Sequence, residues 1–273
     1  MPQRTRMGQY RGMLAVGILL CGLVAPAMAQ VFVYDDLSGH LIDPTRWRPN
    51  VSGAEHVYEM LRQIAGGELV EFLVVNSATR GSGGAFGRHE LRFVQTGFTA
   101  VAFEATVLAA AATGCPTPGS QPSWVAVDAQ LTLFNDGSSP APNDQTGDIA
   151  ARLEIVRASD ALDSPEVLQV VGRLTRCADP TCTTQEAIGM VSLGPVVLGQ
   201  RHTYVVDWQA ASQRVAFWKN ADPVQLIPYP HPVGSLRSFR TLRLSGSAAN
   251  CTVAPRPVAL VYTTLDNVTV FVP

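Results

Sequence analysis

"HTYVVDWQAASQRVAFWKN", residues 202–220, decides the fold class. In its first half Tyr204, Val206 and Trp208 fall on one side of an extended chain, and Thr203, Val205 and Asp207 fall on the other. "QAAS" then turns the chain, after which Val215 and Phe217 alternate with Arg214, Ala216 and Trp218. Period-two patterning on both sides of a short polar break is the signature of a β-hairpin. Asp207 and Trp208 take the faces that alternation assigns them, so the pair reads as the end of a strand and carries no catalytic claim.

The same alternation recurs at 58–64, 69–76, 91–93, 98–108, 124–134, 149–156 and 167–174, and again at 236–244 and 260–271. Clusters rich in Gly, Pro, Asn and Asp separate the runs, among them "GCPTPGSQPS" and "NDGSSPAPNDQTGD". Only "AEHVYEMLRQIAGGELVEF" (54–72) suggests a helix, because Val57, Met60, Leu61 and Ile64 have helical spacing. Gly66-Gly67 lies between two runs of similar length, however, and predicts a hairpin turn instead. No linker or repeat interrupts the pattern. The expectation is one all-β domain over 30–273, a two-sheet antiparallel sandwich, within the size such single domains reach.

Residues 1–29 predict export. Arg4, Arg6 and Arg11 precede an apolar core, Met13 to Val24, and Ala27-Met28-Ala29 supplies small residues for cleavage. Cys21 follows Leu19-Leu20 rather than small residues, so it belongs to this segment and not to a lipid anchor. The mature chain would be periplasmic or extracellular. Its 244 residues, 273 less the first 29, contain no apolar run long enough to span a bilayer. Loss of three arginines takes the formal charge from −2 to −5, which disfavours nucleic acid as a partner. Four cysteines remain. Asp179-Pro180 is a turn signal between two arms of a possible hairpin, which predicts a Cys177–Cys182 disulfide and, by elimination, Cys115–Cys251. Zinc is the rival reading, but no CxxC occurs.

"VFVYDDLSG", "IDPTRW", "YVVDWQAASQRVAFWKN" and "TTLDNVTVFV", in that order, resemble the concanavalin A-like lectin/glucanase superfamily of jelly rolls. The resemblance spreads over most of 31–273 in short motifs, with Leu37 where an aromatic is usual. It implies a jelly-roll sandwich whose last strand pairs with its first. It also implies one structural calcium ion held by Asp36, Gly39 and Asp266, since a hard cation takes oxygen ligands. The superfamily's glucanases carry a Glu-x-Asp-x-x-Glu strand, which puts two carboxylates on one face for retaining hydrolysis. That strand is absent here; Glu104 and Glu154 stand alone.

"RHELR" is similar to the Arg-x-Glu-Leu-Arg strand of jelly-roll alginate lyases, which implies that Arg88, Glu90 and Arg92 could face a uronate. The Gln-x-His and Tyr-x-Lys-x-Gly-x-Tyr strands of that family are missing. Non-catalytic carbohydrate binding is therefore the leading expectation, with Trp124 and Trp218 as stacking platforms. The alternatives are a surface or structural protein-interaction domain using the loops at 77–88, 112–123 and 135–147, or an enzyme with a divergent site.

Overall fold

The computed structural model describes residues 30–53, 58–76, 85–117, 119–139, 141, 143–251 and 253–272. Residues 1–29, where an export segment is expected, and 77–84, part of an expected contact loop, fall outside them. The described chain is a two-sheet antiparallel jelly-roll sandwich of sixteen strands.

The first sheet contains β1 (Gln30–Asp35), β3 (Tyr58–Ala65), β4 (Glu68–Asn76), β6 (Ala100–Ala112), β11 (Arg201–Gln209), β12 (Arg214–Lys219), β13 (Gln225–Pro228) and β16 (Val258–Val272). The second contains β2 (Trp47–Gly53), β5 (Ala85–Phe93), β7 (Trp124–Asn135), β8 (Asp148–Ala158), β9 (Val167–Cys177), β10 (Gln185–Val197), β14 (Ser235–Leu236) and β15 (Arg240–Ala248). The strand order is β13-β12-β11-β6-β16-β4-β3 in the first sheet, with β1 beside β16. In the second it is β10-β9-β8-β7-β15-β5-β2, with β14 beside β7. Opening and closing strands pair from Gln30 with Val272 to Asp35 with Val268.

Alternation decides which residues form the core. Tyr204, Val206 and Trp208 of β11 and Val215 and Phe217 of β12 are buried between the sheets, in one core with Val125, Val127 and Leu131 of β7 and Leu153 and Ile155 of β8. "QAAS" turns through one 3-10 turn, with Gln213 left-handed at its end. The tempting helix is the β3–β4 hairpin. Gly66 and Gly67 both take positive φ, 64° and 82°, a backbone that two-residue hairpin turns require and that L side chains rarely adopt. Gly172 serves packing instead: a Cβ there would lie 2.5 Å from the Phe217 ring, so only glycine lets that ring reach β9.

Two expected boundaries are corrected. The run at 91–93 is the end of a strand that begins at Ala85, so Arg88 is strand and not loop. Its inward positions, Ala85, Gly87 and His89, are too weakly apolar to show alternation. The run at 236–244 is broken: β14 ends at Leu236 and β15 starts at Arg240.

Both cysteine pairs are bonded. Cys177–Cys182 closes the β9–β10 hairpin with Cα atoms 4.7 Å apart, and Cys115–Cys251 ties the segment after β6 to that after β15 at 5.5 Å. Asp179 organises the first of these turns by accepting hydrogen bonds from the hydroxyls of Thr181 and Thr183 and the backbone N–H of Thr184.

A trio of titratable side chains lies inside the sandwich. Glu71 of β4 accepts from Arg62 of β3, and His89 Nδ1 of β5 is 3.5 Å from the same carboxylate. Burial pushes Glu71 up against the pull of Arg62. Burial first, and then the Arg62 charge, push His89 from 6.5 to about 3, so His89 is neutral.

Candidate functional site

The outer face of the second sheet gathers a network of charged side chains on adjacent strands. β7 sends Val125, Val127, Ala129 and Leu131 into the core. Its alternate residues, Trp124, Ala126, Asp128 and Gln130, therefore face outward. β5 likewise presents Phe86, Arg88, Glu90 and Arg92, and β15 presents Thr241, Arg243 and Ser245.

Register then aligns two rows across the strands. One runs Asn50, Glu90, Arg243, Asp128, Glu154; the other runs Arg48, Arg92, Thr241, Gln130, Arg152, Arg173.

In the middle of this face every carboxylate holds a guanidinium. Arg243 Nε donates to Asp128, and Ser245 Oγ lies 3.5 Å from its other oxygen. Both residues are essentially buried, Asp128 at 1% and Arg243 at 2% exposure. Burial raises Asp128, which the charges of Arg243 and Arg152 oppose. Burial likewise pushes Arg243 down to about 10 against the pull of Asp128. Glu154 bridges two arginines, accepting from Arg152 Nη1 at 3.0 Å and from Arg173 Nε at 2.6 Å. Glu90 accepts from Asn50 at 2.9 Å and from Arg92 Nη2 at 3.0 Å, with Arg88 at 3.4 Å. Burial raises Glu90, but these hydrogen bonds and charges outweigh it and hold the carboxyl below its ordinary range.

The ends of the face are aromatic. Phe86 and Trp124 lie 6.4 Å apart, with the Arg88 guanidinium 5.0 Å over Phe86. Six residues along β5, about 20 Å away at strand rise, Arg92 stacks 5.2 Å over Phe239. Phe239 separates two hollows. The larger, about 450 Å³, is lined by Arg48, Asn50, Arg92, Ser238 and Arg240; the smaller, about 240 Å³, is lined by Gln130, Thr132, Asp148 and Arg237.

Arg88, Glu90, Arg92 and Trp124 thus share one surface. Trp218 does not. It lies on β12 of the first sheet, across from Val205, and faces away from the opposite side of the sandwich. One ligand cannot stack on both tryptophans. Trp47 and Trp208 are core residues whose Nε1 groups donate to Asp35 and to Tyr229.

The residues implied for calcium do not fit a dication as they are arranged. Asp36 is exposed and accepts from the backbone and hydroxyl of Ser38. Asp266 already accepts from Arg201, which also holds Glu104 and Glu68, so a cation there would meet a guanidinium. The acid that the opening strand buries is Asp35, bonded to Trp47. Among the described residues no group of three or more His, Cys, Asp or Glu side chains could hold a metal ion.

Arg48, Asn50, Arg243, Phe239 and Arg240 were not singled out by the sequence. "RTLRLSGS" does carry a signal, since Thr241, Arg243, Ser245 and Ser247 alternate with Leu242 and Leu244. Nothing local marks Arg240, whose surroundings come from distant strands.

No family model and no curated protein matches the sequence. Solved structures similar to this chain include the GlcNAcα1-4Gal-releasing endo-β-galactosidase from Clostridium perfringens, at TM-score 0.46 and 11% identity, over 90% of this chain but only 63% of that one. LamAcat from Zobellia galactanivorans is similar at TM-score 0.48 and 12% identity, over 88% of this chain and 96% of that one. A protein with a galectin-like fold from Bacillus subtilis is similar at TM-score 0.41 and 11% identity, over 81% and 89%.

Proposed function

We propose that the chain is an exported, non-catalytic carbohydrate-binding module whose ligand lies along the outer face of the second sheet. The observation that carries this reading is the layout of that face: a floor of hydrogen-bonding side chains on adjacent strands, with Phe86 and Trp124 at one end and Phe239 beside two hollows at the other. Sugars present hydroxyls to such polar groups and their C–H faces to aromatic rings.

A binding role is favoured over hydrolysis because Asp128, Glu90 and Glu154 are each engaged by arginine. An acid catalyst must reach the glycosidic oxygen with its carboxyl, and the oxygens of these three carboxylates are already taken up by guanidinium hydrogen bonds. Residues 1–29 would direct export and be removed; intact-mass measurement of the secreted chain tests this by locating its first residue.

The test of function is co-sedimentation of residues 30–273, with disulfides formed, against insoluble and gelled polysaccharides, assaying each supernatant for new chain ends. Retention without new ends is expected, and it should fall when Phe239 or Trp124 is replaced by alanine. New chain ends would sink the non-catalytic reading. Absence of retention across the panel would transfer the weight to a protein partner.

A further inference from the structure

The larger hollow at the end of this face has an unbalanced charge. Arg48, Arg92 and Arg240 line it, and among the described residues no acid does. Arg48 and Arg92 are direct cross-strand neighbours, and like charges so placed destabilise a sheet unless something neutralises them. Glu90 serves Arg92, but it already serves Asn50 and Arg88 as well. Arg240 is 3% exposed and, among the described residues, hydrogen-bonds to the carbonyls of Thr132 and Phe239 and to no acid, with the Phe98 ring 5.9 Å away. Its Nε has no partner. Burial alone pushes it down to about 10, with no opposing acid.

The same sheet contains its own control. Arg152 and Arg173 are also direct cross-strand neighbours, and there Glu154 reaches both. Where the chain sets two guanidiniums side by side in the middle of the face, it supplies the bridging carboxylate. At the end of the face it supplies a cleft. From this juxtaposition we infer that the cleft between Arg48, Arg92 and Arg240 is a subsite for an oxyanion carried by the glycan, either a uronate carboxylate or a sulfate ester. The inference rests on the binding role proposed above and names the ligand class. Arginine suits it because the planar guanidinium can pair with two oxygens at once. Asn50 and Ser238 border the same space and can bond neighbouring hydroxyls.

The test uses the disulfide-bonded chain in affinity electrophoresis through gels containing a neutral β-glucan, a polyuronate or a sulfated galactan, with polyphosphate as a sugar-free polyanion. Expected is retardation by the polyuronate or the sulfated galactan and not by the neutral glucan, weakening as salt is raised. Whichever acidic polymer retards the chain identifies the source of the oxyanion. Arg48→Gln should weaken that retardation at least about tenfold, because a hydrogen bond to a charged group is worth more than that factor. Arg48 is exposed, so its variant keeps the fold; Arg240→Lys is the companion that retains charge but loses the planar fork. Equal retardation by neutral and acidic glycans, unchanged in Arg48→Gln, would overturn the subsite while leaving the binding role intact. Equal retardation by polyphosphate would overturn it too, as unspecific charge attraction. No retardation by any polymer would remove both the subsite and the binding role.

Discussion

The middle and the end of one sheet face treat arginine differently. In the middle, Arg243 is buried against Asp128, and Arg152 and Arg173 share Glu154. At the end, Arg48, Arg92 and Arg240 surround a hollow of about 450 Å³ into which no acid of the described chain reaches. The strands, their spacing and their outward alternation are the same in both places. What differs is whether the bridging carboxylate belongs to the protein. The contrast bears on stability as much as on binding: Arg243, Arg152 and Arg173 hold the face together through their carboxylates, whereas Arg48, beside an Arg92 that shares Glu90 with Arg88 and Asn50, adds little to it.

The sharpest way to break this comparison is to remove a carboxylate from the middle. Asp128→Ala leaves Arg243 buried without a counter-charge, and the expected loss is about 3–5 kcal/mol of unfolding free energy. Urea unfolding measures it. The double variant Asp128→Ala/Arg243→Met should recover most of that loss, because the penalty lies in the orphaned charge. A single variant as stable as the wild type would mean that Arg243 finds water and that the middle of the face is not dry.

The core trio extends the same accounting to pH. Arg62 and Glu71 already form one ion pair, so a proton on His89 would add a second buried cation beside Arg62. The folded-state value of His89 is depressed, from 6.5 to about 3, so on acidification the unfolded chain takes up the proton first. This contribution to stability is whole above about pH 6.5 and is lost as pH falls toward 3, at about 1.4 kcal/mol per pH unit. His89→Gln should flatten that slope. Glu71, raised by burial, acts with the opposite sign above its ordinary value and is present in both proteins, so the difference between them isolates His89. Equal slopes between pH 6 and 4 would show that His89 charges within the fold.

Much of the architecture was legible because its faces contrast. Tyr204, Val206 and Trp208 against Thr203, Val205 and Asp207 already give the strand, the turn and the buried side. Cys177 and Cys182 flank a turn of their own and were equally legible. The site was harder to read for physical reasons. Alternation tells which residues share a face of one strand, but not which sheet that strand joins, so Trp124 and Trp218 looked alike and lie on opposite outer faces. Arg240 takes an inward position across from Leu131, where patterning would place an apolar residue. Its role depends on Phe98 and on the hollow beside Arg48, which only the fold assembles. "RHELR" was noticed for its charges, yet its neighbour Asn50 comes from an edge strand whose Pro49 hides the pattern.

A smaller effect is expected at Glu154. Arg152 and Arg173 keep partial exposure, 25% and 44% of their side chains, so Glu154→Gln should cost no more than about 1 kcal/mol. It should also convert the middle of the face into a copy of its end, with two adjacent arginines and no bridge. Added sulfate should then raise the melting temperature of the variant more than that of the wild type. If sulfate treats both alike, the bridge is not what distinguishes the two regions.

The smallest change in stability belongs to Arg48. It is exposed and has no acidic partner among the described residues, so Arg48→Gln removes repulsion from Arg92 and no attraction. The expected outcome is a gain of a few tenths of a kcal/mol, the lower part of the range for cross-strand pairs. Adding salt or sulfate should stabilise the wild type slightly more than the variant, since only the wild type has a like-charge pair to screen. The sign matters more than the size. A residue retained for the fold loses stability when removed, whereas one retained for a ligand can gain it while binding is lost. Should Arg48→Gln instead unfold more easily than the wild type, Arg48 would hold the edge strand in place and the two regions of the face would not differ in kind.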